Sequence, residues 1–282
     1  MTQPLQLESL FLAVDSSPFA ESATRYAAHF SKRLSLPLAA VHVLDSRIAT
    51  MPSTLDAGVG DMSMMLPEYN AGVEEVLEDQ GQEIKAKTEK LLGELGVDAS
   101  LEVKAGLPTD EIVQAIPDNA LCVLGKQGES AEFGGSPRLG GVAERVVRRA
   151  EGAVLLAPET FTEPKRLLLG YDGSDGAEGA LEVALVLSER LDLPLLVLSV
   201  HDDPAESETQ LADVRARARR DDFRLTTQAL SGKPVEAILG ATEPGDIVAI
   251  GAFGAGRLAE FFGGSTTSHI VRRAEVAILL HS

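Results

Sequence analysis

The sequence predicts an α/β protein made of two tandem, open, five-stranded parallel sheets with helices on both faces, a Rossmann-like arrangement. Three observations carry that prediction. The 282 residues fit two domains, since a domain usually takes roughly 100–200 residues. The chain repeats itself: FLAVDSSPFAESATRYAAHFSKRLSLPLAAVHVLD from Phe11 matches LLLGYDGSDGAEGALEVALVLSERLDLPLLVLSVHD from Leu167, placing Asp15 on Asp172 and Pro37 on Pro194, both 157 positions apart. Each copy also alternates short apolar runs with helix-periodic stretches. Regular β-α alternation with near-continuously apolar strands implies parallel sheets covered on both faces by right-handed crossovers.

Residues 10–14 and 166–171 are apolar runs too short for helices, each ending at an acidic turn, and read as first strands. Helical periodicity follows over 20–34 and 177–191. Residues 38–44 and 195–200, rich in Val and Leu behind a proline, read as buried second strands, and 101–105 and 226–230 as third strands. Helices then open near Pro108 and Pro234, because proline suits the first turn of a helix. Residues 120–124 and 246–250 are fourth strands, and a helix through each Arg-Arg-Ala stretch leads to last strands at 153–157 and 276–280.

Between the second strand and the third the copies differ in length. Gly106 falls on Gly232 and Gly125 on Gly251 at an offset of 126, so the second copy lacks 31 residues, the difference of the two offsets. In the first copy this region holds an irregular stretch over 46–67 with Met51, Met62, Met64 and Met65, then a long amphipathic helix from Glu68 to about Leu95. The stretch reads as a loop whose Met side chains pack on neighbouring helices, with a dedicated partner surface as the alternative. Residues 158–164, with two prolines, form a short linker that sets domains 1–157 and 164–282 close together.

Composition narrows the function classes. Forty-three acidic against 25 basic residues give a net charge of −18, a field that repels a phosphate backbone. Three Tyr, nine Phe and no Trp leave little for stacking bases, so nucleic-acid binding is disfavoured. Cys122 is the only cysteine, which rules out an intrachain disulfide and a Cys-based zinc site and fits a cytoplasmic setting. No basic-then-apolar leader is read at the start, and no apolar run approaches the ~18 residues a membrane helix needs.

The most informative segment is GAFGAGRLAEFFGGSTTSHIVRRA, in which Gly251, Gly254, Gly264 and Ser265 are spaced GxxGx9GS between a buried strand and a helix. Glycines at such a turn let backbone N–H groups close on phosphate oxygens, the helix N-terminus adds partial positive charge, and Ser265 and Thr266 can add hydroxyl donors. Asp172 ends the first strand of the same half. If the strand order reverses between first and fourth strands, Asp172 and the glycine turn face one crevice, where open α/β sheets bind ligands. There Asp172 can accept from ribose hydroxyls or hold a hydrated Mg²⁺, and the backbone at Val200 can read an adenine edge. The competing reading makes Asp172 a helix N-cap or Asx-turn residue.

These residues resemble the universal stress protein family in its tandem, two-domain form, and the likeness covers both halves. It rests on the GxxGx9GS signature at Gly251–Ser265, on the acidic end of the first strand in YDGSDGA, and on the second strand VLSVHD. The resemblance implies five-stranded parallel sheets of the adenine nucleotide α-hydrolase-like kind. It implies ATP binding where the signature is intact, with Asp172, Val200, Gly251, Gly254, Gly264, Ser265 and Thr266 as the contacts. It also implies pairing of the final strands about a two-fold axis. The short linker then predicts an intramolecular pseudo-dimer whose last strands meet antiparallel, with a homodimer through the same edges as the alternative.

The first half departs from the signature. Gly125 and Gly128 are present, but Gly140 comes two positions later than its counterpart and Gly141 stands where a hydroxyl is needed. Glu129 and Glu132 oppose a phosphate, with Lys126 and Arg138 as the cations to compensate, so nucleotide binding there is expected to be weaker. GxxxxGK[ST] is absent and the five histidines lack metal-ligand spacing. No nucleophile, base and orienting group converge, so the expectation is a stress-response nucleotide-binding regulatory protein that is not an enzyme. A nucleotide-free scaffold and an adenylate-processing enzyme are the alternatives.

Overall fold

The computed structural model describes residues 6–49, 66–128, 139–217, 224–251 and 266–281. In the first half, β1 (Ser9–Val14) feeds α1 (Pro18–Leu34), and β2 (Leu38–Asp45) is followed by the single turn α2 (Ser46–Ala49) and the 29-residue α3 (Leu66–Glu94). Then come β3 (Leu101–Gly106), α4 (Pro108–Ala115), β4 (Ala120–Gly125), α5 (Gly141–Arg149) and β5 (Ala153–Ala157). The second half repeats the series with β6 (Arg166–Gly170), α6 (Asp175–Leu191), β7 (Leu195–Val200), α7 (Pro204–Arg217), β8 (Leu225–Leu230), α8 (Pro234–Ala241), β9 (Asp246–Gly251), α9 (Thr266–Arg273) and β10 (Ala277–His281). Sequence symmetry reappears as conformational symmetry. Ser35 and Asp192, 157 positions apart, end α1 and α6 in the left-handed conformation at φ 54° and 56°.

The strands form one ten-stranded sheet in the order β3-β2-β1-β4-β5-β10-β9-β6-β7-β8. Every neighbouring pair is parallel except the central one, where β5 and β10 run antiparallel with Ile278 opposite Leu156 and Leu280 opposite Val154. The antiparallel meeting of the last strands implied by the family resemblance and the short linker is therefore present, and it joins the two sheets into one. Each half keeps its reversal of strand order, between β1 and β4 and between β6 and β9.

One apolar layer lies on each face. On one face α1 and α6 bury Tyr26, Phe30, Leu181 and Leu187 against Leu12, Leu155, Leu169 and Leu279. On the other, Val146 and Val147 of α5 and Ile270 and Val271 of α9 cover Cys122, Leu156, Val248 and Ile278. Both layers cross the seam between the halves. Polar bonds cross it as well, in a reciprocal pattern. Arg33 donates to the Leu191 carbonyl at 2.7 Å, and Arg190, its repeat counterpart, donates to the Leu34 carbonyl at 2.8 Å. Phe161 of the linker packs edge-on against Tyr26 with ring centroids 4.8 Å apart.

Candidate functional site

Both strand-order reversals put a carboxylate beside a strand that ends in glycine, Asp15 next to Gly125 and Asp172 next to Gly251. In the second half Asp172 follows β6, and β9 next to it ends at Gly251. A Cβ on Gly251 would lie 2.3 Å from the Gly176 carbonyl carbon and 2.4 Å from the Ala177 nitrogen. Only a glycine lets β9 approach the first turn of α6 so closely. Thr266 opens α9 and is partly exposed, and Thr267 Oγ1 donates to the Gly251 carbonyl at 3.3 Å. Gly254, Gly264 and Ser265 lie outside the described residues.

Asp172 is exposed, and its Oδ1 accepts from the Ser174 N–H at 3.0 Å. The N-cap of α6 is Ser174, whose hydroxyl accepts from Ala177 N at 3.3 Å. The carboxylate thus makes an Asx turn and leaves capping to the serine. Gln210 of α7 fastens this corner: its Nε2 donates to the Asp172 carbonyl at 3.0 Å and its Oε1 accepts from Ser199 Oγ at 2.6 Å. Val200 ends β7 with its backbone in register with Leu230. Asp172, Val200, Gly251 and Thr266 are therefore all found at the carboxyl edge of the sheet.

In the first half the equivalent place is a cavity of about 740 Å³, lined by Asp15, Val43, Gly125, Gly128, Gly140 and Arg145 among others. Small-molecule sites commonly span about 300–1,000 Å³. Asp15 Oδ1 accepts from the N–H and the hydroxyl of Ser17 at 3.0 and 2.5 Å. A Cβ on Gly128 would fall 2.6 Å from Asp15 Oδ2, and one on Gly140 would fall 3.0 Å from the Gly128 nitrogen. Backbone and carboxylate are drawn together as in a cradle that a side chain would fill. Arg145 Nε donates to Thr109 Oγ1 at 3.0 Å, and its guanidinium lies 3.4 Å from the place of a Cβ on Gly141. Asp45 at the rim is held below the usual carboxylate range by its hydrogen bonds with Arg47, opposed by partial burial.

One expectation is corrected. Lys126 does not turn toward the phosphate place to compensate Glu129 and Glu132, because its Nζ reaches across the seam to the Ala274 carbonyl at 2.7 Å. A buried ammonium finds at the end of α9 the unpaired carbonyls that it needs. Burial pushes its pKa down to about 8, with Glu275 opposing. Glu129, Glu132 and Arg138 lie outside the described residues. Gln210 carries no sequence signal beyond its position two turns into a polar helix. Cys122 is buried, and burial pushes its thiol up to about 12, so it stays protonated. Among the described residues no three His, Cys, Asp or Glu are grouped to hold a metal ion, and no helix is long and apolar enough to cross a membrane.

Comparison with known proteins bears on the fold and the family. A family model described as the universal stress protein family matches the chain twice, over residues 8–158 and 163–281. The chain is 26% identical over 287 residues to a universal stress protein of Synechocystis sp., covering 97% of this chain and 99% of that relative. It is likewise 26% identical over 306 residues to a universal stress protein of Mycobacterium tuberculosis, with 99% of each covered. Among solved structures, that of a universal stress protein from Archaeoglobus fulgidus shares the fold with a TM-score of 0.71 at 21% identity, covering 98% of this chain and 99% of that one.

Proposed function

The chain belongs to the universal stress protein family, and we propose that it is a cytoplasmic, non-enzymatic regulator that binds ATP, with or without Mg²⁺, mainly in residues 164–282. The observation that carries this reading is the convergence of Asp172, Gly251 and Thr266 at the reversal of strand order between β6 and β9, in the half whose sequence holds the complete GxxGx9GS loop. The backbone from Gly251 to Gly264, with Ser265 and Thr266, would hold the phosphates at the N-terminus of α9. Asp172 would accept from the ribose hydroxyls or a hydrated Mg²⁺, and the Val200 backbone would meet the adenine edge. ATP bound this way acts as a ligand or switch.

The first-half cavity supports a second, weaker site in residues 1–157. It has the carboxylate and the glycine cradle but Gly141 in place of a hydroxyl. Calorimetric titration of the full chain tests both readings. One tight ATP site is expected, and Gly254→Val, which puts a branched side chain where phosphate must approach, should weaken it about thirtyfold or more, equivalent to ~2 kcal/mol. Unchanged affinity in that variant would sink the assignment. Gly128→Val should leave the tight site within the same order of magnitude and abolish the weak one.

A further inference from the structure

Lys126 stands between Gly125, which ends β4, and the first-half glycine turn, yet its side chain leaves that turn. Its Nζ donates to the Ala274 carbonyl at 2.7 Å and to the Arg272 carbonyl at 3.3 Å. Arg272 is in the last turn of α9 and Ala274 lies just beyond it, in the other half of the chain. Lys126 is only 6% exposed. Removing an ammonium from water is costly, and an apolar side chain would fill the space without that cost. What the ammonium gains is a set of helix-end carbonyls and the negative end of the helix dipole.

The Lys126 main chain is fixed as firmly. Its N–H donates to the Ala157 carbonyl at 2.9 Å, and its carbonyl accepts from Gly140 N at 3.0 Å. Gly140 is stacked on Gln127 and Gly128, and Gly128 on Asp15. The corner that faces the first-half cavity is therefore a tight unit, and the side chain of Lys126 runs from it to α9. That helix has eight residues and begins at Thr266, so its two ends are about 12 Å apart at 1.5 Å per residue. The repeat places Ala252 opposite Lys126, and alanine has no ammonium to return the contact.

We propose that Lys126 is a positioning residue that couples the first-half glycine turn to the nucleotide site of the second half, by fixing the C-terminal end of α9. The inference rests on reading the N-terminal end of α9 as part of that site. Coupling of binding free energies is reciprocal, so a ligand in either half changes affinity in the other by one common factor.

The test is a double-mutant cycle in the full chain with Lys126→Met and Gly128→Ala, read by ATP calorimetry at the tight site and by amide exchange over residues 271–274. Lys126→Met is expected to weaken ATP binding roughly three- to tenfold and to speed exchange in α9. Gly128→Ala, which crowds Asp15 in the opposite half, should weaken the tight site two- to threefold while Lys126 is present and have no further effect once Lys126 is Met. Lys126→Arg, which keeps a cationic donor, should retain the coupling. A Gly128→Ala effect of equal size in both backgrounds, or unaltered ATP affinity in Lys126→Met, would overturn the proposal. If the unaltered protein binds no ATP, the functional reading fails. The amide exchange cycle then decides the coupling alone: acceleration by Gly128→Ala only when Lys126 is present supports it, and none overturns it.

Discussion

At the scale of single residues, a glycine can answer to a proposed phosphate loop or to close packing, and the sequence does not separate the two. Gly251 is legible as the first member of a phosphate loop, but its contact with the start of α6 depends on how a strand and a distant helix meet. Gly251→Ala should therefore destabilise the fold by about 2 kcal/mol, the usual cost of overpacking, before any ligand is considered. Urea denaturation without nucleotide checks this, and wild-type stability would contradict the packing described. Lys126 was legible only as a cation near a glycine turn, since its partners are main-chain carbonyls 146 and 148 positions away. Its depressed pKa has a consequence for stability. Between about pH 8 and the ordinary lysine range near 10.4, the unfolded chain binds a proton that the native chain does not. Stability should rise with pH across that window, and Lys126→Met should flatten the rise. Unfolding midpoints at pH 7.5, 9 and 10 would reveal a profile that ignores the substitution.

Elements were far more legible than contacts, because periodicity is local. The expected strands and the observed ones differ by a residue or so at their ends, and α3 begins at Leu66 where Glu68 was expected. What escaped was α2, a single turn at Ser46–Ala49, too short to show any period, with Arg47 paired to Asp45 before it. The pairing of β5 with β10 follows from the family resemblance together with the short linker. Its register does not, because a run such as Ala-Ile-Leu-Leu fits several offsets equally well. β10 is bonded on both sides, to β5 and to β9. Ile278→Pro takes an N–H out of that central strand, which should cost about 3 kcal/mol or more. Small-angle scattering and thermal unfolding should show loosened halves with a lower midpoint. A smaller change is expected at the second-half corner, where Ser174→Ala removes the cap of α6 at about 1 kcal/mol.

For the whole molecule, the seam decides how the protein responds to dilution. The arginine bonds and the two apolar layers that cross it join surfaces belonging to one chain, and the linker of residues 158–164 holds them together at a high effective concentration. The unfolding midpoint of the full chain should stay constant over a hundredfold dilution, whereas an assembly of separate chains would lose stability. The linker has a further consequence. In a dimer of identical chains every substitution is made twice, so a residue that reaches across the axis is always answered by its copy. Here Lys126 crosses the axis and Ala252 occupies the answering position. A single covalent connection thus lets one seat of a two-fold arrangement change its chemistry while the other keeps its own.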